Sequence, residues 1–80
     1  MDRHTLLIDE TVEAYVDWRE ECAGVWDAYE RWEHTSAVDA QLAFAAYCAA
    51  VDREERASNV YAEMSMRLIG DTHSPTASPA

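Results

Sequence analysis

An all-α fold, an antiparallel two-helix hairpin that dimerises into a four-helix bundle, is the expectation from three features of this 80-residue chain. Ile8, Thr11, Tyr15, Trp18, Cys22, Val25, Tyr29 and Trp32 recur at alternating steps of three and four, and seven of the eight are apolar or aromatic. That spacing marks a long helix packed lengthwise on other helices. A short polar break follows, and then a second heptad pattern. A chain this short seldom buries enough apolar surface alone, so without a disulfide scaffold or a metal a second subunit is the expected remedy.

The first helix is expected over about residues 5–34, with Thr5 as N-cap and Asp9 and Glu10 in its opening turns, where negative charge suits the helix dipole. At 100° per residue the seam and its flank (Val12, Val16, Ala23, Trp26) span roughly 200°, while Glu10, Glu13, Asp17, Glu20 and Asp27 gather opposite. One neighbouring helix covers a narrower stripe, so the breadth implies at least two packing partners. Gly24 lies towards the polar side and reads as a tolerated helix interior position, not a hinge.

His34, Thr35 and Ser36 interrupt the pattern, and Ser36-Ala37-Val38-Asp39 has the form of a capping box with Asp in place of Glu. A two- or three-residue connection makes the helices antiparallel neighbours. The second helix is expected over about residues 36–69, with a seam through Ala43, Tyr47, Ala50, Ala57, Tyr61, Met64 and Leu68, widened by Phe44, Val51 and Ile69. Its many alanines suggest that the bulky rings of the first helix lie over small side chains of the second. Gly70 is the expected stop, so residues 1–70 form the hairpin and the polar, proline-containing stretch 71–80 is expected to be disordered.

Sixteen acidic residues against six arginines, no lysine and three histidines give a formal charge of −10. Such a surface repels phosphate backbones and anionic lipid, so neither nucleic acid nor membrane is an expected partner. Arginine as the sole fixed cation, with abundant Ala, Asp and Val, suggests a GC-rich bacterial genome. The N-terminal residues lack the apolar core of a signal peptide and no run of eighteen apolar residues occurs, which makes the cytoplasm the default address.

Tyr15, Trp18, Trp26, Tyr29, Trp32, Phe44 and Tyr61 are the candidate partner or dimer interface, because aromatic clusters dominate binding hot spots and a lone hairpin has no third helix to cover them. Glu54 falls on the second seam within the run Asp52-Arg53-Glu54-Glu55-Arg56. Counted outward from Thr35 it comes near Tyr15, Val16 and Arg19, which suggests a buried Arg19–Glu54 ion pair fixing register. Cys22 and Cys48 stand equally far from Thr35, so they form a candidate thiol pair at one height, reduced and buried in a cytosolic protein.

No cofactor or metal is expected. The chain lacks the Glu-x-x-His spacing of di-iron or di-manganese bundles, its cysteines lack zinc spacing, and no His lies within either heptad pattern to activate a nucleophile. The sequence therefore reads as a non-enzyme: an interaction or structural module that binds itself, another protein, or both. The alternative is an acidic decoy that mimics nucleic acid and occupies a basic site on a partner protein. The length and hairpin plan resemble the small secreted helical-hairpin proteins with a Trp-x-Gly turn. The motifs do not follow, since the turn here is His34-Thr35-Ser36 and Tyr61 is followed four residues on by Ser65, not by the Asp or Glu of that export signal.

Overall fold

The computed structural model describes residues 2–72, which form two helices, α1 (Arg3–Glu33) and α2 (Ala40–Thr72), packed antiparallel as a hairpin. No strand occurs among the described residues.

α1 begins two residues before the expected start, and its N-cap is Asp2 instead of Thr5. The Asp2 side chain accepts a hydrogen bond from the Thr5 backbone N–H at 2.8 Å, satisfying a donor that the first turn would leave open. This backbone donor, aided by the Thr5 side chain, holds the Asp2 carboxyl below the ordinary aspartate range. A pKa lowered on folding adds stability above the unfolded value, and the gain is lost as pH falls through the folded value. The protection of the Thr5 amide, its exchange rate relative to the intrinsic rate at the same pH, should therefore fall on acidification below about pH 4. In Asp2→Ala the same amide should exchange quickly at neutral pH and show no such pH step, which two-dimensional NMR would read.

α1 ends at Glu33. The His34 N–H bonds the Glu30 carbonyl at 3.0 Å and its ring Nδ1 lies 2.9 Å from the same oxygen, so His34 caps carbonyls that the helix leaves open. The connection that follows, His34–Asp39, is six residues long, twice what the sequence suggests. Ser36 does not cap α2 in the expected way. Its carbonyl accepts from the Asp39 N–H at 3.1 Å, closing a turn, while its hydroxyl donates to the Asp39 carboxylate at 3.3 Å. The Asp39 carbonyl then accepts from the Ala43 N–H at 3.0 Å, so α2 starts at Ala40.

Gly70 does not stop α2. Its φ is not positive, and the helix runs on because Asp71 is tied to α1: its carboxylate lies 2.9 Å from His4 Nδ1 and 3.8 Å from Arg3 Nε. Asp71 and Thr72 are thus helical, not part of a tail, and the rest of that expected tail, 73–80, lies outside the described residues. Gly24 sits inside α1 with open space where a Cβ would be, so no close approach requires it.

The longer connection resets the register. Tyr29 meets Tyr47 and Tyr15 meets Tyr61, and both pairs are equidistant from Val38, not from Thr35. Cys22 is then level with Glu54. Cys48 lies six residues before Glu54 in α2, about 9 Å nearer the turn along the axis at 1.5 Å per residue. That separation exceeds the Cα distance a disulfide allows, about 7 Å, so the expected Cys22–Cys48 pair does not form. Both thiols are free, Cys22 half-buried and Cys48 exposed, which also overturns the expectation that both are buried.

The α2 seam follows the heptad reading throughout: Ala43, Tyr47, Ala50, Glu54, Ala57, Tyr61, Met64 and Leu68 are all buried or half-buried. In α1 the seam is Leu7, Thr11, Ala14, Trp18, Cys22, Val25, Tyr29 and Trp32; Ile8 and Tyr15 stand on its flank and are exposed. Thr11 fits the seam because its hydroxyl donates to the Leu7 carbonyl at 2.7 Å, with the Met64 carbonyl at 3.4 Å across the helix pair. Only Ala14 and Ala50 are fully buried among the described residues. These are the points where the backbones come close enough to exclude water without large side chains.

Candidate interaction face

Two groups of rings join the helices. Near the turn, Trp32 stacks on Tyr47 with centroids 5.6 Å apart and meets Phe44 at 4.9 Å, while Tyr29 packs edgewise on Tyr47 at 5.9 Å and on Trp26 at 6.3 Å. Towards the open end, Trp18 lies nearly parallel to Tyr61 at 5.6 Å, and Tyr15 contacts both edgewise. Large rings therefore stack on large rings, contrary to the expected large-over-small pairing. Stacked and edge-to-face rings are favourable in their own right, and the alanines serve the close approaches between the groups.

Trp18 carries a polar tie as well. Its indole N–H donates to Glu54 Oε2 at 2.9 Å, which satisfies the ring and one oxygen of the seam carboxylate. The expected Arg19–Glu54 ion pair is absent, and Arg19 is exposed with no partner among the described residues. The register shift explains this: it puts Glu54 level with Cys22 and brings Trp18, not Arg19, to face the carboxylate. In the middle of the hairpin the ion pair that crosses between the helices is Glu21–Arg53 at 3.3 Å, in addition to the Arg3–Asp71 contact at the open end. Beside Tyr29, the Glu33 carboxylate raises the phenol above its ordinary pKa, first by hydrogen bonding and then by its charge.

The candidate residues divide by exposure. Trp18, Tyr29, Trp32 and Tyr61 are half-buried between the helices, whereas Tyr15, Phe44 and Trp26 are exposed, Trp26 at 70%. At helical spacing Ile8, Val12, Tyr15 and Trp26 lie on one side of the α1 seam, and Phe44, Val51 and Ile69 lie on the side of the α2 seam that the antiparallel pairing brings to the same face. A shallow groove lined by Val25, Trp26, Tyr29 and Tyr47 opens on that face. The opposite face is charged, with Asp17, Glu20 and Glu21 of α1 beside Arg53 and Arg56 of α2. Sequence reasoning included Val12 in the first arc but missed its alignment with Phe44 and Val51, because the face they share depends on the pairing of the helices.

Among the described residues no group of three or more His, Cys, Asp or Glu is placed to hold a metal ion. Among the same residues no helix is long and apolar enough to cross a membrane. No protein-family model matches the chain, and comparison with curated proteins and with solved structures gives no match either.

Proposed function

We propose that this hairpin is a protein–protein interaction module that associates with itself through the face carrying Ile8, Val12, Tyr15, Trp26, Phe44, Val51 and Ile69, two copies forming a four-helix bundle. The observation that carries the reading is the imbalance between core and surface. Ala14 and Ala50 alone are buried among the described residues, while large apolar side chains stand exposed, most of them along one face and the others, such as Leu42 and Val60, singly elsewhere. Contiguous apolar patches on that scale mark interaction sites, and covering them would supply the core that 80 residues lack on their own. Trp26 is the natural anchor, a Trp projecting beside a groove of aromatic walls.

The test is the mass in solution by light scattering across the micromolar range. The unmodified chain should weigh twice the monomer, and Trp26→Ala, which removes little from the isolated hairpin, should shift it towards monomer. Raising the salt to roughly 0.5 M, where the Debye length falls to a few ångströms, should leave the association in place. A cooperatively folded monomer throughout would overturn the reading. Capture of a basic partner that is lost in high salt and on neutralising Glu13, Asp17, Glu20 and Asp27, while Trp26→Ala still binds, would favour the acidic decoy.

A further inference from the structure

The apolar face holds one fixed cation, and its position selects among the ways two copies can meet. Arg19 lies seven residues from both Val12 and Trp26, so at helical spacing it falls between them on the exposed stripe. It has no partner in its own chain among the described residues, whereas Arg53 and Arg67 pair with Glu21 and Glu63, and the likewise unpaired Arg56 lies on the opposite, charged face beside Asp17 and Glu20. Arg19 is also one residue from the middle of α1, Arg3–Glu33.

Two copies packed on this face by a two-fold rotation have two simple arrangements in full overlap. If the axis runs across the hairpin, α1 lies on α1 and α2 on α2, and the central Arg19 faces its own copy across a face that excludes water. Like charges brought together there are unfavourable. If the axis runs along the hairpin, heights are kept and α1 of each copy lies over α2 of the other. Because the register pivots at Val38, Arg19 is level with Ala57, and the second copy offers it Ser58 with Glu54 and Glu55 within one turn. Glu54 retains a second carboxylate oxygen beyond the one that Trp18 occupies, and Glu55 is exposed with no partner among the described residues. In the same arrangement Trp26 comes level with Ala50 and within one residue of Val51, an aromatic anchor beside a half-buried aliphatic.

The geometry points to a second copy docked with its two-fold axis along the hairpin, both turns at the same end, and Arg19 of each copy paired with the Glu54–Glu55 carboxylates of the other. This rests on the self-association proposed above, and it adds the symmetry and the pair that sets it. A nitroxide at Val38→Cys, in a chain carrying Cys22→Ala and Cys48→Ala, reads it by pulsed electron spin resonance. Turns at one end place the labels about 10–20 Å apart plus the label arms, the distance across packed helices. Turns at opposite ends place them about 50 Å apart, the length of a 33-residue helix.

Charge reversal is the second arm and needs no label. Arg19→Glu should weaken dimerisation by about tenfold or more, and adding Glu55→Arg should recover most of the loss, since the pair is re-formed with its signs exchanged. Short distances and rescue support the arrangement. Long distances, or reversal without rescue, overturn it while leaving self-association standing. A monomeric mass for the unmodified chain overturns both.

Discussion

Trp18→Ala should lower the unfolding free energy by about 2–3 kcal/mol, towards the low end of the range for truncating a large aromatic because the ring is half-buried. In a hairpin with two alanines as the only fully covered residues among those described, that is a large part of the total, since small domains hold about 5 kcal/mol or less. The change removes the stack on Tyr61 and also leaves the Glu54 carboxylate without its indole donor. Trp18→Phe largely separates the two effects, because it keeps a six-membered ring against Tyr61 while losing the N–H together with part of the indole. It should cost about 1 kcal/mol, the worth of one hydrogen bond to a half-buried group. Urea titration followed by circular dichroism at a single protein concentration gives both values. If Trp18→Ala were no worse than Trp18→Phe, the ring stack would contribute nothing and the open half of the hairpin would be held by the alanine contacts alone.

The second large effect is expected from the opposite change at the closest approach of the helices. Ala50 is 1% exposed, so Ala50→Leu has no space and must push α1 away from α2, at a cost of about 1–3 kcal/mol. Ala49→Leu, one residue away, points to solvent and should change stability by less than about 0.5 kcal/mol. Both variants add the same apolar volume, so propensity and hydrophobicity cancel in the comparison. Equal thermal midpoints for the two would show that the helices do not meet at Ala50.

How far the sequence carried depended on whether neighbouring residues offered a choice. Along α2 the seam from Ala43 to Leu68 was legible, because polar or charged residues separate the seam positions beyond Val51 and fix a phase that carries back through the apolar run 43–51. In α1 the alternatives Leu7 or Ile8, and Ala14 or Tyr15, are adjacent pairs in which both members are apolar. Periodicity cannot choose between them. Close backbone approach decides, and it favours the smaller Ala14. The register was not legible either. Ser36 to Asp39 satisfies the capping pattern on paper, but the Ser36 carbonyl closes a turn with the Asp39 amide, which delays α2 and moves the pivot from Thr35 to Val38. That shift of three residues dissolved the Arg19–Glu54 and Cys22–Cys48 pairs together, since both were inferred by counting from the same point. The aromatic set divides, with Tyr15, Trp26 and Phe44 exposed and Trp18, Tyr29, Trp32 and Tyr61 packed between the helices, a division that depends on how the helices pair. The tie between Asp71 and His4 had a visible signal: Asp71 continues the α2 heptad three residues beyond Leu68, although a glycine stands between.

The placement of contacts along the hairpin also sets an order in which it can form and come apart. Trp32 and Phe44 are twelve residues apart in the chain, Tyr15 and Tyr61 forty-six, and His4 and Asp71 sixty-seven. The entropy of closing a loop grows slowly with its length, but the first closure is the costly one, and here it is the short His34–Asp39 link. Once Trp32, Phe44 and Tyr47 have met, each later pair closes only the few residues added since the last. Assembly from the turn outward therefore avoids any long closure, and opening proceeds in reverse. The Asp71 end, held by one exposed ion pair and one histidine, is where strand separation of the two helices begins, while the ring cluster beside the turn is the last part of the molecule to let go.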